Sequence, residues 1–205
     1  MRDVVIVSGT RTPIGDFGGS LKDVSAISLA TTVIESSIKR AGIEKRDVEM
    51  VIMGNCFEPL DQNIARIAAV KCGLPVEVPA SSVIVNCASG MHAIICGIQA
   101  IKDEDVDVVI AGGAESMSNA PFMSTTTRWG QRIRHGQMVD MLWRAMQEPP
   151  IGVGMGLTAE NLAEKYTISR EEQDKFSVLS HQRACKAIND GRFKDEITPV
   201  IIPQK

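Results

Sequence analysis

The stretch that decides the fold is Ser81–Ala100, with the sequence SSVIVNCASGMHAIICGIQA. Its first part, Ser81–Asn86, is apolar and β-branched and follows Pro79, which predicts a buried strand. From Ala88 onward the apolar residues recur at helical spacing, which predicts a buried helix. The apolar residues of that helix are Met91, Ile94, Ile95 and Ile98. Cys87 therefore lies where a strand turns into a helix.

This position suits Cys87 to act as a nucleophile. Amide N–H groups in the first turn of a helix have no partner within the helix, and the helix dipole adds positive charge there. Both features stabilise a thiolate and the oxyanion that forms when a thiolate attacks a carbonyl. The alternative is that Cys87 is a small core residue, because unpaired cysteines are among the most buried residue types.

Composition excludes several classes of protein. The chain has 205 residues, with 22 Lys and Arg against 25 Asp and Glu, and this near-neutral charge predicts no binding to nucleic acid. No apolar run is long enough for a membrane span, and the N-terminus, MRDVVIVSGTRTP, predicts a first strand rather than a signal peptide. An odd number of cysteines without a CxxC pair predicts neither disulfides nor a metal site, and favours the cytoplasm. These cysteines are Cys56, Cys72, Cys87, Cys96 and Cys185.

The first part of the chain alternates strands and helices. Besides the central strand, strands are predicted at Asp3–Val7, Met50–Met53 and Val106–Ala111, and helices at Ser25–Ala41 and Asn63–Cys72. Such alternation is typical of an α/β fold with a parallel or mixed sheet. Because the carboxyl ends of parallel strands meet at one edge, Cys87 and Gly112–Ser116 are expected to be neighbours.

The sequence pattern changes from Ser116 onward. Ser116–Gln147 carries five methionines and both tryptophans and shows no clean strand. Helices are predicted at Thr158–Lys165 and Ser169–Asn189, the second opening with a capping box formed by Ser169 and Glu172. A last short strand is predicted at Ile197–Ile202. Residues from Ser116 onward are therefore expected to form a mostly helical insertion.

No side chain is obviously placed as a general base for Cys87. His92 lies five residues further along the helix and faces another direction, and His135 and His181 look like surface residues. Glu115 is more simply a structural acceptor of backbone N–H bonds than a catalytic acid. The methionines are most simply core residues, although they could line an apolar acyl or pantetheine tunnel. These methionines are Met117, Met123, Met138, Met141, Met146 and Met155.

Several blocks, in order, resemble the thiolases, that is acetyl-CoA C-acetyltransferase and 3-ketoacyl-CoA thiolase. They are VVIVSGTRTPIGDFGGSL (4–21), GNCFEPLDQNIARIAAVKCGLPVEVPASSVIVNCASGMHAI (54–94), AGGAESMSNAPF (111–122), GMGLTAENLAEKYTISREEQD (154–174) and DGRFKDEITPV (190–200). The resemblance implies a layered α/β/α N-terminal domain at residues 1–115 and an incomplete, mostly helical loop domain at 116–205. It implies that the C-terminal half of a thiolase is absent.

The resemblance also implies a reaction. Cys87 would accept an acyl group as a thioester, for a reversible Claisen condensation of two acyl-CoA molecules or thiolytic cleavage of a 3-ketoacyl-CoA. The coenzyme A thioester would be a substrate, with no permanently bound cofactor, and Met155 and Met146 would line the pantetheine path. Two departures stand out: Gly154 replaces a frequent histidine before Met155, and Asn86 lies directly before the cysteine.

Thiolases are about twice this length, and their activating histidine and second cysteine lie in the C-terminal half. We therefore expect this chain to need a C-terminal half for activity. That half could be a separate polypeptide, could have been removed by truncation, or could be truly lost. A homodimer, or a larger oligomer through the N-terminal sheet, is expected by resemblance. The alternative is a non-catalytic binding or assembly module with the thiolase fold. The related ketoacyl synthase and hydroxymethylglutaryl-CoA synthase classes fit less well, because of the long insert after Glu115.

Overall fold

The structure, a computed structural model, describes residues 2–58, 60–131, 133, 135–147 and 152–202. The chain divides into two compact units. The first consists of Met1–Ala120 and Glu196–Lys205, and the second of Pro121–Asp195. A domain boundary between residues 115 and 116 stays a prediction.

A three-stranded parallel sheet forms the centre of the first unit. Its strands are β1 (Met50–Gly54), β2 (Ala80–Val83) and β3 (Val109–Gly113), in the order β2-β1-β3. Ile52 of β1 lies opposite Ser81 on one side and Ala111 on the other. The α/β class predicted from the alternating pattern is confirmed.

Two helices cover one face of this sheet. Helix α1 (Ala26–Ala41) begins where the Ser25 hydroxyl accepts a hydrogen bond from the Ser28 N–H, at 3.1 Å. It ends at Gly42, whose φ of 69° gives the left-handed conformation that glycine adopts without steric cost. Helix α2 (Ile64–Cys72) is capped by Asn63 in the same way. Buried residues of these elements form the core: Ile27, Ala30, Ile34, Ile38, Val48, Val51, Met53, Ile64, Ala65, Ala68, Ala69 and Cys72, with Leu74 and Val78 beside them.

Helix α3 (Ser89–Lys102) packs against β1 and β3. A Cβ atom placed on Gly97 would lie 3.1 Å from a methyl of Val109 and 3.4 Å from the Cβ of Ala111, so this glycine permits close contact with the sheet. Val109 and Ala111 alternate along β3 with Ile110, which packs against the α1/α2 core. The first unit is therefore layered α/β/α, as expected.

Two expectations for the central stretch are wrong. Strand β2 is only partly buried, because it lies at the edge of the three-stranded sheet within the described part of the chain. Helix α3 buries one narrow face, made of Ser89, Ala93 and Gly97, whereas Met91 is 63% exposed. Apolar content alone therefore overestimated how much of α3 the first unit covers.

The strands predicted near the two ends of the chain, at Asp3–Val7 and Ile197–Ile202, do not form. Residues Asp3–Val7 have no strand partner among the described residues, and Val5, Ile6 and Val7 are each more than 70% exposed. Of Ile197–Ile202, only Ile197 pairs, in an isolated bridge with Arg11. A strand needs a hydrogen-bonded neighbour, which periodicity in one segment does not provide.

The described part of the second unit contains three helices and one short pair of strands. Helices α4 (Met141–Met146), α5 (Met155–Lys165) and α6 (Arg170–Asn189) follow a short antiparallel pair, β4 (Phe122–Ser124) and β5 (Met138–Asp140). The sequence did not predict this pair, because strands of three residues carry little periodicity. The predicted capping box at α6 is confirmed: the Ser169 hydroxyl accepts from the Glu172 N–H, and the Glu172 carboxylate accepts from the Ser169 N–H.

Candidate functional site

Cys87 is exposed and lies in the turn between β2 and α3. Val83 ends the strand, Ala88 is the cap of the helix, and the Ala88 N–H donates to the Val85 carbonyl at 3.0 Å. The position predicted for Cys87 is thus confirmed, and the alternative of a buried core cysteine is wrong.

Glycines bring the sheet against the start of α3. A Cβ atom on Gly54, the last residue of β1, would lie 2.6 Å from the Gly90 nitrogen and 2.7 Å from the Ser89 Cβ. A Cβ atom on Gly113, the last residue of β3, would lie 3.4 Å from the Gly90 Cα. The start of α3 therefore rests directly on the carboxyl ends of two strands.

Two of the amide groups in this turn are already used. The Ala88 N–H binds Val85, and the Ser89 N–H donates to the Asn86 carbonyl at 3.1 Å. These two N–H groups therefore hold the turn closed rather than facing outward.

Glu115 holds the loop after β1. Its carboxylate accepts from the backbone N–H of Cys56 at 2.7 Å, from that of Phe57 at 3.2 Å and from the Asn55 amide at 2.9 Å. Burial raises the pKa of Glu115, and these N–H donors oppose that rise because they favour the ionised form. The prediction that Glu115 is a structural acceptor is confirmed.

Cys56 belongs to the same edge, and sequence reasoning missed it. Its Sγ donates to the Asn86 carbonyl at 3.3 Å and lies 3.6 Å from the Ser89 Oγ. Burial, together with the neighbouring Glu115 and Cys87, raises the pKa of the Cys56 thiol. The available signal was its place two residues after the end of β1, at the carboxyl edge that also holds Cys87.

The histidines stand where the sequence predicted. The Nε2 of His92 lies 3.6 Å from the Sγ of Cys96, one turn further along α3. His135 is exposed, and His181 is exposed on α6. Within the described residues, no group of three or more His, Cys, Asp and Glu side chains could hold a metal ion.

None of the six methionines from Met117 to Met155 that the sequence analysis considered is buried. Met155, the first residue of α5, is 65% exposed, and Met146, the last residue of α4, is half-buried. Met117, Met123 and Met138 are also largely exposed. The interpretation as core filler is therefore wrong, and the role of Met155 and Met146 along a pantetheine path stays a prediction.

The Asn63 and Arg66 side chains of the second block are structural. The side-chain oxygen of Asn63, Oδ1, caps α2 by accepting from the Arg66 N–H at 3.1 Å, and its side-chain Nδ2 donates to the Ala80 carbonyl at 3.0 Å. The Arg66 guanidinium donates to the carbonyls of Val76 and Val78. They fix the path of the chain into β2 and thus towards Cys87.

Almost the whole chain matches one known protein family. Residues 4–205 match the family described as thiolase, N-terminal domain. The chain belongs to the thiolase family. Of the described helices, none is long and apolar enough to span a bilayer.

Individual thiolases are similar along the whole chain. The beta-ketothiolase of Cupriavidus necator is 46% identical over 202 residues, and the acetyl-CoA acetyltransferase of Pseudomonas aeruginosa is 46% identical over 211 residues. These alignments cover 98% and 100% of this chain but 51% and 53% of the relatives. The crystal structure of the Bacillus anthracis acetyl-CoA acetyltransferase matches with a TM-score of 0.94 and 42% identity, over 98% of this chain and 51% of that one. The chain thus spans about half the length of these relatives.

Proposed function

We propose that this chain carries the nucleophile of a thiolase-type acyl-CoA acyltransferase, and that the nucleophile is Cys87. The observation that supports this most is the exposed thiol at the strand-to-helix turn, in a chain whose relatives are acetyl-CoA acetyltransferases and a beta-ketothiolase. A thiol in such a turn is accessible to a substrate and lies at the positive end of a helix.

The chemistry proceeds in two half-reactions. The Cys87 thiolate attacks the carbonyl carbon of an acyl-CoA, the carbon–sulfur bond to coenzyme A breaks, and the thiol of coenzyme A leaves with a proton. In the condensing direction, a carbanion from a second acyl-CoA attacks the acyl-cysteine, and the Cys87 thiolate is released. In the thiolytic direction, the Cys87 thiolate attacks the keto carbon (C3) of a 3-ketoacyl-CoA, the bond between C2 and C3 breaks, and the C2 carbanion takes up a proton and leaves as acetyl-CoA. The thiolate of a second coenzyme A then attacks the acyl-cysteine, and the Cys87 thiolate is released. Nucleophilic catalysis of this kind divides one difficult step into two easier ones.

The substrate is proposed to be a coenzyme A thioester, with no permanently bound cofactor. Met155 and Met146 of the second unit would line the path of its pantetheine arm, since flexible thioethers adapt to an irregular chain. We place the reaction in the cytoplasm.

Proton transfer is proposed to depend on a second polypeptide segment. Glu115 is occupied by N–H donors, and His92 lies against Cys96 rather than beside the turn. We therefore propose that groups from a C-terminal thiolase half supply the base. We also propose that two or more copies of the protein associate through the sheet of the first unit.

Reconstitution tests the proposal. The chain is mixed with a separately expressed segment corresponding to the C-terminal half of a thiolase, and acetyl exchange between coenzyme A thioesters is measured. Cys87→Ala should abolish the exchange and Cys87→Ser should nearly do so, whereas Cys185→Ser, a control for an exposed cysteine in the second unit, should not change it. A mixture that binds acetyl-CoA but exchanges nothing would support a non-catalytic assembly module instead.

A further inference from the structure

The residue before Cys87 has an unusual backbone conformation. Asn86 has a φ of 46°, in the left-handed region that side chains other than glycine rarely adopt. Asparagine is one of the few residues that enter this region readily, whereas a β-branched residue there is strained. The side chain of Asn86 is exposed, so packing in a core does not explain the asparagine.

A buried hydroxyl holds this turn from inside. Ser89 is only 4% exposed, and its Oγ accepts from the Val85 N–H at 2.8 Å and donates to the Asn86 carbonyl at 2.7 Å. The same carbonyl also accepts from the Ser89 N–H at 3.1 Å and from the Cys56 Sγ at 3.3 Å. Ser89 thus joins the residues on both sides of Cys87.

Cys87 lies exposed between the residues that these hydrogen bonds hold. The chain is fixed at Val85, Asn86 and Ser89, while the Cys87 side chain is exposed. Because its main chain is held at both ends, the direction of the Cys87 Cα–Cβ bond relative to α3 is set by the turn.

We propose that Asn86 and Ser89 are positioning residues for Cys87: Asn86 supplies the left-handed turn, Ser89 locks it, and together they hold the sulfur at the start of α3. This inference deepens the proposed function and rests on it for its catalytic meaning. It also explains why an asparagine directly precedes the cysteine.

The test is the rate at which Cys87 reacts with iodoacetamide at neutral pH, divided by the rate of Cys185 in the same molecule. Cys185 is an exposed thiol on α6 and serves as an internal reference. Ser89→Ala and Asn86→Val should lower this ratio about threefold, the scale of the effect of a helix terminus on a charged group. Asn86→Gly should keep the wild-type ratio, because glycine adopts a positive φ without strain.

The outcomes separate the two proposals. Three results would overturn the inference. The first is a ratio that neither Ser89→Ala nor Asn86→Val changes, and the second is a wild-type ratio of one. The third is a fall in the ratio that is as large in Asn86→Gly as in Asn86→Val. Circular dichroism monitors folding, and if Ser89→Ala does not fold, the Asn86→Val and Asn86→Gly pair decides. The labelling needs no turnover, so it can succeed even if Cys87→Ala retains acetyl exchange, a result that would reject the proposed function alone.

Discussion

Among single residues, Gly54 controls how closely the sheet approaches the turn that holds Cys87. A methyl group there would meet the backbone and Cβ of the first residues of α3 at less than 3.0 Å. We predict that Gly54→Ala lowers the free energy of unfolding by about 1–3 kcal/mol, the usual cost of overpacking. It should also reduce the iodoacetamide reactivity of Cys87.

Gly112→Ala is the matched control, because its Cβ would meet nothing closer than the Met53 sulfur at 4.0 Å. Urea denaturation of both variants gives the comparison. Equal stability of the two variants would show that the start of α3 can shift away from β1 at little cost.

Because Cys72 is buried, we predict that the free energy of unfolding falls as the pH rises in the alkaline range. Burial raises the pKa of its thiol above the ordinary value of 9.0, the charge of Glu35 adds to the rise, and Lys45 opposes it. The unfolded chain therefore loses this proton at a lower pH than the folded chain. The contribution is fully present below about pH 9 and is lost as the pH rises through the folded pKa.

Urea denaturation at a series of pH values measures this slope. Cys72→Ala should remove part of the decline above pH 9, after a loss of roughly 1–2 kcal/mol at neutral pH for the cavity. Cys185→Ala, at an exposed position, should keep the wild-type slope. The reverse order of slopes in the two variants would refute the assignment.

The sequence predicted some of these residue positions and not others. Cys87 could be placed because periodicity changes from a strand to a helix around it. Cys56 could not be placed beside it, because their proximity depends on the register of β1 against β2. The conformation of Asn86 has no signature beyond the residue type itself.

At the scale of elements, Asn63 joins helix α2 to strand β2. Its side chain caps α2, donates to the Ala80 carbonyl and accepts from the Ser82 hydroxyl at 3.1 Å. We predict that Asn63→Ala lowers the free energy of unfolding by about 1–3 kcal/mol, since a cap and buried hydrogen bonds are lost together.

Asn63→Asp separates these contributions. Aspartate keeps the acceptor for the helix cap but cannot donate to Ala80, so its effect should be smaller than that of alanine. Chemical denaturation measures both variants. An aspartate variant as unstable as the alanine variant would show that the bond to β2, rather than the cap, dominates.

The bounds of α1, α2 and α6 were predictable because their start and stop signals are local, whereas α5 begins at Met155, three residues before the predicted Thr158, and α4 was not predicted. Ser25, Asn63 and Ser169 cap the helices that follow them, and glycines with a positive φ follow α1 and α2. Outer strands were not predictable in the same way. The segment Asp3–Val7 has the composition of a strand, but strand formation depends on a neighbour elsewhere in the sequence.

At the scale of the molecule, this chain corresponds to about half of each thiolase it resembles. If a C-terminal half supplies the base, the chain alone should exchange acetyl groups at least about 10²-fold more slowly than the reconstituted pair, the lower end of general acid–base contributions. A steady-state exchange assay with equal concentrations of Cys87 measures this difference. Full activity of the chain alone would reveal a base within it, with His92 the first residue to replace.

The most direct test of the account is to identify the residue that carries the acyl group. The reconstituted protein is incubated with acetyl-CoA, quenched in acid, and examined by intact mass and by peptide mapping. If Cys87 is the nucleophile, we predict one added acetyl group, located on Cys87 in the tryptic peptide 72–102 and absent from Cys87→Ala. An acetyl group on another residue, or undiminished acetylation of Cys87→Ala, would contradict it.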